Sequence, residues 1–438
     1  MSPDHPAAPR PPGRVSRRRL VGWSALAAAA VPLGVGGWSG RATAAESLEE
    51  SYQRAFLEAV GRHPAIRRHT VPGREFLYRP GQLLAARRDV QRVLARLRAL
   101  GHQVTEGPGF ATVGRLLLAP ETDIPTLVTR LRDPRQWPNQ TVPVVQPHHV
   151  LVGFGNIMGN PGGPPRVAAP LAAPDPARLG EGAGVTVGVC DTGIWRHAGA
   201  AHPAWLGGSY LPESDDEDAV YAGAGLLALQ GGHGTFVAGV LRQAAPGVRF
   251  DPEAALDATG VGDEETLVAA IGRLDPQVAI VNLSLGCFTQ DDQPPLPLVD
   301  TIAALPHEVA VVAAAGNGGT ARPSWPAALP RVLAVSALAT GSGGALVPAG
   351  YSGFGSWVDA CALGDRTSTY VDGELRLPGQ PSLVFHRFAA WAGTSFATAH
   401  VTGRLAALMT STGMDAEEAR AALVATPRWH PDYGVLVG

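Results

Sequence analysis

Between residues 185 and 438 the chain alternates short apolar runs with helix-patterned segments, and no other feature constrains its fold as much. Val185–Val189, Val278–Leu283, Val309–Ala314 and Val332–Ala337 are runs rich in valine and alanine. Runs of this length and composition suit strands buried on both faces, as in a parallel sheet covered by helices. Helical patterns separate them at Thr235–Gln243, Glu264–Leu274, Leu298–Leu305 and Thr394–Met409. The expectation is an α/β domain with a mostly parallel sheet flanked by helices. Its reactive groups should sit where strands run out into loops and helices begin.

A smaller unit precedes it. Glu75–Tyr78 is strand-like, and Val90, Val93, Leu94, Leu97 and Leu100 fall at helical spacing before Gly101. Strand-like His102–Glu106 and Thr112–Ala119 follow, with Gly107-Pro108-Gly109 read as the turn between them. Thr122 or Asp123 can cap a second helix carrying Leu127, Val128 and Leu131, and Val142–Val145 closes the unit as a strand. The order β-α-β-β-α-β predicts a small α+β domain, one antiparallel sheet covered by two helices. Residues 153–184, rich in Gly, Pro and Ala, read as a linker. The expected organisation is therefore 1–44, 45–152, 153–184 and 185–438.

The first segment reads as an export signal. Ser16-Arg17-Arg18-Arg19 leads into an apolar stretch from Leu20 to about Gly37, and Ala42-Thr43-Ala44 supplies small residues for cleavage after Ala44. The paired arginines resemble a twin-arginine signal, which predicts a secreted protein with no membrane span in the mature chain. Charge is divided unevenly along the chain. All 35 basic residues are arginine; residues 46–150 hold fifteen against ten acids, and residues 151–438 hold fourteen against twenty-seven. The acidic large domain disfavours nucleic acid as a partner, and the two parts should attract one another. Three cysteines, at 190, 287 and 361, allow at most one bridge and show no metal-ligand spacing.

Four segments set one reactive side chain among small residues. Asp191 ends a buried run in Val187-Gly188-Val189-Cys190-Asp191-Thr192-Gly193, where a carboxylate needs a partner. His233 lies in Gly231-Gly232-His233-Gly234-Thr235, Asn317 in Ala315-Gly316-Asn317-Gly318, and Ser395 in Gly393-Thr394-Ser395-Phe396-Ala397 at a helix start. Each alone has an ordinary structural reading: a capping Asp, a core His, a turn Asn and an N-cap Ser. Together they supply the parts of nucleophilic catalysis. A serine hydroxyl needs an imidazole to take its proton, the imidazole needs a carboxylate to hold its tautomer, and the oxyanion needs fixed donors. The Asn317 amide and the Ser395 N–H are the candidate donors.

These stretches, in this order, resemble the subtilisin-like serine proteases. VGVCDTGI, GGHGTFVAG, AAAGNGG and AGTSFATAHVTG carry the likeness, with VNLSLG (281–286) and GYSGFGSWVDACALG (350–364) adding to it, over roughly 185–434. The resemblance implies a polypeptide substrate, catalytic roles for Asp191, His233, Ser395 and Asn317, and a substrate strand held between Ser284-Leu285-Gly286 and Gly260-Val261-Gly262. It also makes residues 45–152 similar to the family's propeptide, an intramolecular chaperone and inhibitor. Val144–Val150 is then the segment expected to approach the cleft. Phe236 stands where the family often has His, and Ala399 where it usually has Pro. No cofactor is required. Calcium binding by the acidic run Glu213–Asp218 has no clear motif behind it, so that run reads as a solvated loop. Cys190, beside Asp191, reads as a small buried apolar residue.

Two other functions compete. An esterase of the α/β-hydrolase class needs Gly-x-Ser-x-Gly and the order Ser, acid, His, neither of which is present. A catalytically inactive subtilase-shaped binding protein would normally lack one of the triad residues, and here all three stand in place.

Overall fold

The computed structural model describes residues 46–153, 163–211, 217–223 and 225–438. The export-signal reading (1–44), part of the linker and most of the acidic run fall outside those residues.

The N-terminal part runs α1 (Leu48–Arg62), β1 (Phe76–Ala86), α2 (Val90–Ala99), β2 (Thr105–Phe110), β3 (Val113–Leu117), α3 (Ile124–Leu131) and β4 (Val145–Val152). From β1 onward the order is β-α-β-β-α-β. The helices α2 and α3 bury Val93, Leu97, Val128 and Leu131 against Leu83, Leu116 and Val145 of the sheet. Asp123 caps α3 by accepting from Thr126 N.

Three local expectations change. Gly107-Pro108-Gly109 is not a turn but lies inside β2, where Gly107 faces Arg115 in register; the hairpin closes instead through Ala111, at φ 45°. The last strand begins where Val142–Val145 was expected to end. Gln146, Pro147, His148 and His149 are buried in it: Glu264 accepts from Gln146 and His149, and His148 pairs with Gln82 of β1. Helix α1 was not foreseen. Its Ser47–Glu50 capping box and the four-residue spacing of buried Tyr52, Phe56 and Val60 account for it.

The large part contains β5 (Thr186–Asp191), α4 (His233–Ala244), β6 (Arg249–Ala254), β7 (Val261–Asp263), α5 (Glu264–Arg273), β8 (Val278–Leu283), α6 (Leu296–Ala304), β9 (Ala310–Ala314), β10 (Val332–Thr340) and β11 (Ala360–Leu363). It ends with β12 (Asp365–Leu375), β13 (Leu383–Ala392), α7 (Thr394–Thr412), α8 (Ala416–Val424) and β14 (Val435–Leu436). The central sheet has the order β6-β5-β8-β9-β10-β11-β14, every neighbouring pair parallel, with a short antiparallel strand, Leu346–Pro348, on β10.

Helices cover both faces, as a parallel sheet requires. Val237 and Leu241 of α4 and Val401 and Leu405 of α7 pack with Val187, Ile280 and Val312. On the other face Leu267 and Ile271 of α5 and Leu298 and Ile302 of α6 pack with Val281, Leu283 and Val311. The candidate groups therefore converge at one edge: Asp191 ends β5, Asn317 follows β9, and His233 and Ser395 open α4 and α7.

The N-terminal sheet is continuous with the large part. Its order is β7-β4-β1-β3-β2, so β4 lies between β1 and β7 and carries the small sheet into the large domain. The charge asymmetry is used at this contact. Arg79 pairs with Asp263 at 2.8 Å, Arg115 with Glu265 at 2.7 Å and Arg132 with Asp291 at 3.3 Å.

Candidate active site

Asp191 and His233 meet because β5 delivers the carboxylate beside the first turn of α4. His233 Nδ1 donates to Asp191 Oδ1 over 2.7 Å, and Thr192 N donates to the same oxygen over 2.7 Å. Both side chains are buried. The glycines around His233 serve the backbone more than the ring. Gly232 caps α4 in the left-handed region at φ 85°, and a Cβ on Gly234 would lie 2.1 Å from Gly193 O. Any larger residue at 234 would push α4 away from the end of β5.

An aromatic wall that sequence reasoning missed holds the imidazole from behind. Trp391 meets His233 edge-on at 5.3 Å between centroids, and Phe396 lies at 5.4 Å. Phe236 completes the cluster, 4.4 Å from Phe396 and 5.8 Å from Trp391. The phenyl ring where the family often has an imidazole is thus part of an apolar packing unit.

Ser395 is the second residue of α7. Its Oγ donates to Ser284 O at 3.3 Å, and Ser284 Oγ donates back to Ser395 O at 3.1 Å. Among the described residues the serine hydroxyl is thus paired with the Ser284 main chain and not with His233. The two side chains nevertheless line one pocket together with Asn317, Gln230 and Gly153, and that pocket retains only about 10 Å³ of free volume. Asn317 is held by its carbonyl oxygen, which accepts from Thr394 N and Thr394 Oγ1, both at 2.9 Å. This orientation commits the oxygen to Thr394 and leaves the amide nitrogen beside Gly393, two residues before the serine.

The space beside the serine is small because the chain itself fills the cleft. Val152 N donates to Gly286 O at 2.9 Å, Gly286 N donates to Val152 O at 3.0 Å, and Gly153 N donates to Gly260 O at 2.8 Å. Val150, Leu151 and Val152 pair antiparallel with Asp263, Gly262 and Val261. Residues 150–153 therefore lie between the two segments Gly260–Gly262 and Ser284–Gly286. Behind them Glu264, at the start of α5, accepts from Gln146 Nε2 at 2.8 and 2.9 Å and from His149 Nδ1 at 2.6 Å. Gln290 N donates to His149 Nε2 at 3.3 Å, which fixes a neutral imidazole with its proton on Nδ1. Burial likewise pushes the His149 titration down, to about 3.

Helix α1 closes the same region from above. Tyr52 is buried, its hydroxyl donating to Leu229 O at 2.7 Å and accepting from Gln230 Nε2 at 2.6 Å, while Phe56 packs with Val150 and Val152. Among the described residues no group of three or more His, Cys, Asp or Glu side chains gathers as a metal site, and no helix is long and apolar enough to cross a membrane. Within the acidic run, Glu217 pairs with Arg196 and Asp218 is buried.

The family model described as the subtilase family, Peptidase_S8, matches residues 182–434. The chain belongs to the subtilase family. Among its relatives, the thermophilic serine proteinase of Bacillus sp. (strain AK1) is 33% identical over 205 residues, 46% of this chain and 45% of that one. Mycosin-4 of Mycobacterium tuberculosis (strain ATCC 25618 / H37Rv) is 32% identical over 276 residues, 53% and 57% of the two chains. Thermitase of Thermoactinomyces vulgaris is 29% identical over 269 residues, 60% and 86%. The chain thus spans about half the length of the first two relatives. The fold is shared with fervidolysin of Fervidobacterium pennivorans at a TM-score of 0.56 and 22% identity, covering 82% of this subtilase and 60% of that chain.

Proposed function

We propose that this subtilase is a secreted serine endopeptidase whose N-terminal part is its own inhibitor and folding chaperone. The observation that carries the reading is the 2.7 Å hydrogen bond between buried Asp191 and His233, in a pocket shared with Ser395 and Asn317. Ser395 Oγ attacks the peptide carbonyl while His233 Nε2 takes its proton, and Asp191 holds Nδ1–H and offsets the imidazolium charge. The tetrahedral oxyanion is met by the Asn317 side-chain amide and the Ser395 N–H. His233 then protonates the leaving amine, and a water released onto the acyl-enzyme completes hydrolysis. No metal or cofactor enters these steps.

Substrate binds as an added strand between Gly260–Gly262 and Ser284–Gly286, through main-chain hydrogen bonds. The chain's own residues 150–153 make such bonds there, which supports the inhibitor reading of 45–152; removal of that unit frees the cleft. Export by the twin-arginine route rests on the arginine-led apolar stretch near the N-terminus. Fluorophosphonate labelling tests the catalytic assignment. The processed wild type should label and hydrolyse a peptide anilide, and Ser395→Ala should do neither; labelling of that variant would count against Ser395 as the nucleophile, and an inert processed wild type would favour a binding protein of subtilase shape.

A further inference from the structure

A second buried carboxylate stands behind the imidazole. Asp218 is tied to the loop that leaves β5: its N donates to Ile194 O at 2.9 Å, and its main-chain O accepts from Val220 N at 2.8 Å. Its Oδ2 accepts two hydrogen bonds, from Gly232 N at 2.7 Å and from Thr192 Oγ1 at 2.8 Å. Thr192 Oγ1 in turn accepts from Gly234 N at 3.0 Å. One carboxylate oxygen therefore reaches the main chain on both sides of His233, directly at Gly232 and through the threonine hydroxyl at Gly234. Thr192 is also the residue whose N–H fixes Asp191 Oδ1.

We infer that Asp218 is a positioning residue for His233, holding both flanking peptide groups so that the imidazole keeps its line between Asp191 and Ser395. This rests on the reading of His233 as the general base. Neither glycine that flanks the histidine has a side chain to brace it, and Gly232 sits in the left-handed region, so the turn depends on partners from elsewhere in the chain. The titratable groups around Asp218 are Asp191, His233 and Tyr370, with the Arg196–Glu217 pair at the adjoining surface. Burial pushes the Asp218 carboxyl up, to about 7. Both donors fall on Oδ2, so a proton on Oδ1 leaves the two hydrogen bonds intact.

The test expresses the full chain and assays it after the N-terminal part has been released, by added protease where self-processing is slow, with Asp218→Ala, Asp218→Asn and Thr192→Val compared on sites counted by fluorophosphonate titration. A tetrapeptide p-nitroanilide reports kcat and KM. Displacing a catalytic group by about 1 Å costs on the order of 100-fold, so Asp218→Ala should lose about 10- to 100-fold in kcat with KM within about twofold. Asp218→Asn, which presents an oxygen to the same donors, should stay within about threefold of wild type, and Thr192→Val should lie between the two. Should Asp218→Ala fail to fold, the other two variants decide. Equal kcat per titrated site in Thr192→Val and wild type would overturn the inference, as would an Asp218→Asn as impaired as Asp218→Ala. A processed wild type that does not label would instead overturn the catalytic reading beneath it.

Discussion

Replacing Asp191 with asparagine removes the charge behind His233 while leaving the shape of the site. Asp191 Oδ1 accepts both His233 Nδ1 and Thr192 N, and Oδ2 is buried without a hydrogen-bond partner among the described residues. Only one amide orientation keeps an oxygen facing those two donors; the flipped one sets NH₂ against Thr192 N–H. Asp191→Asn should therefore retain the Nδ1–H tautomer and lose chiefly the electrostatic support of the imidazolium. Two unit charges about 4 Å apart at an effective dielectric of about 20 interact by roughly 4 kcal/mol, which is about 10³-fold in rate. A flipped amide that imposed the wrong tautomer would cost about 10⁴-fold, as in the chymotrypsin-type triad. The assay is kcat/KM on a peptide anilide together with the second-order rate of fluorophosphonate labelling, each normalised to folded protein by thermal melting. A loss below about tenfold in a variant that melts like wild type would refute the role of the carboxylate.

Two further outcomes follow from packing and charge. Arg79→Ala leaves the nearly buried Asp263 without its 2.8 Å partner, and breaking such a pair costs about 3–5 kcal/mol, so amide exchange along β1 and β4 should accelerate while the central sheet stays protected. Unchanged exchange there would mean that the pair does not hold the N-terminal sheet. Burial pushes the thiols of Cys190 and Cys287 well above their ordinary titration, so they stay protonated in the folded chain while the unfolded chain ionises above pH 9. Their contribution to stability is complete below that pH and falls as pH rises, by about 1.4 kcal/mol per thiol per pH unit. Urea unfolding at pH 8 and pH 10, with a Cys190→Ala, Cys287→Ala variant as reference, measures this. An identical pH slope in the two proteins would contradict it.

The large domain was legible where signal and cause are local. Val278–Leu283 is a strand from end to end as read, because an apolar run between turns admits few other placements. The helix read from Thr235 begins two residues earlier, at His233, because Gly232 in the left-handed region starts it and no side-chain cap marks the spot. Asp191, His233, Asn317 and Ser395 stood out because close backbone approach demands small neighbours around each. What surrounds them was not legible. Trp391 and Asp218 lie on segments that reach His233 and its turn only through the fold. The strand read at Val142–Val145 in fact runs from Val145 to Val152, because its polar residues Gln146 and His149 are paired with Glu264, more than a hundred residues onward. Helix α1 did carry a local signal, the Ser47–Glu50 box, but its apolar stripe of Tyr52, Phe56 and Val60 gains meaning only against Leu229 and β4.

Processing of the chain by its own serine is the most direct measure of whether Ser395, His233 and Asp191 work as one unit in the occupied cleft. Intact-mass analysis and N-terminal sequencing of the wild-type and Ser395→Ala chains, incubated side by side, read it out. The wild type should part from the segment that contains residues 46–150, and the alanine variant should keep that segment covalently attached. A Ser395→Ala chain cut at the same bond with the same time course would contradict the assignment of the nucleophile.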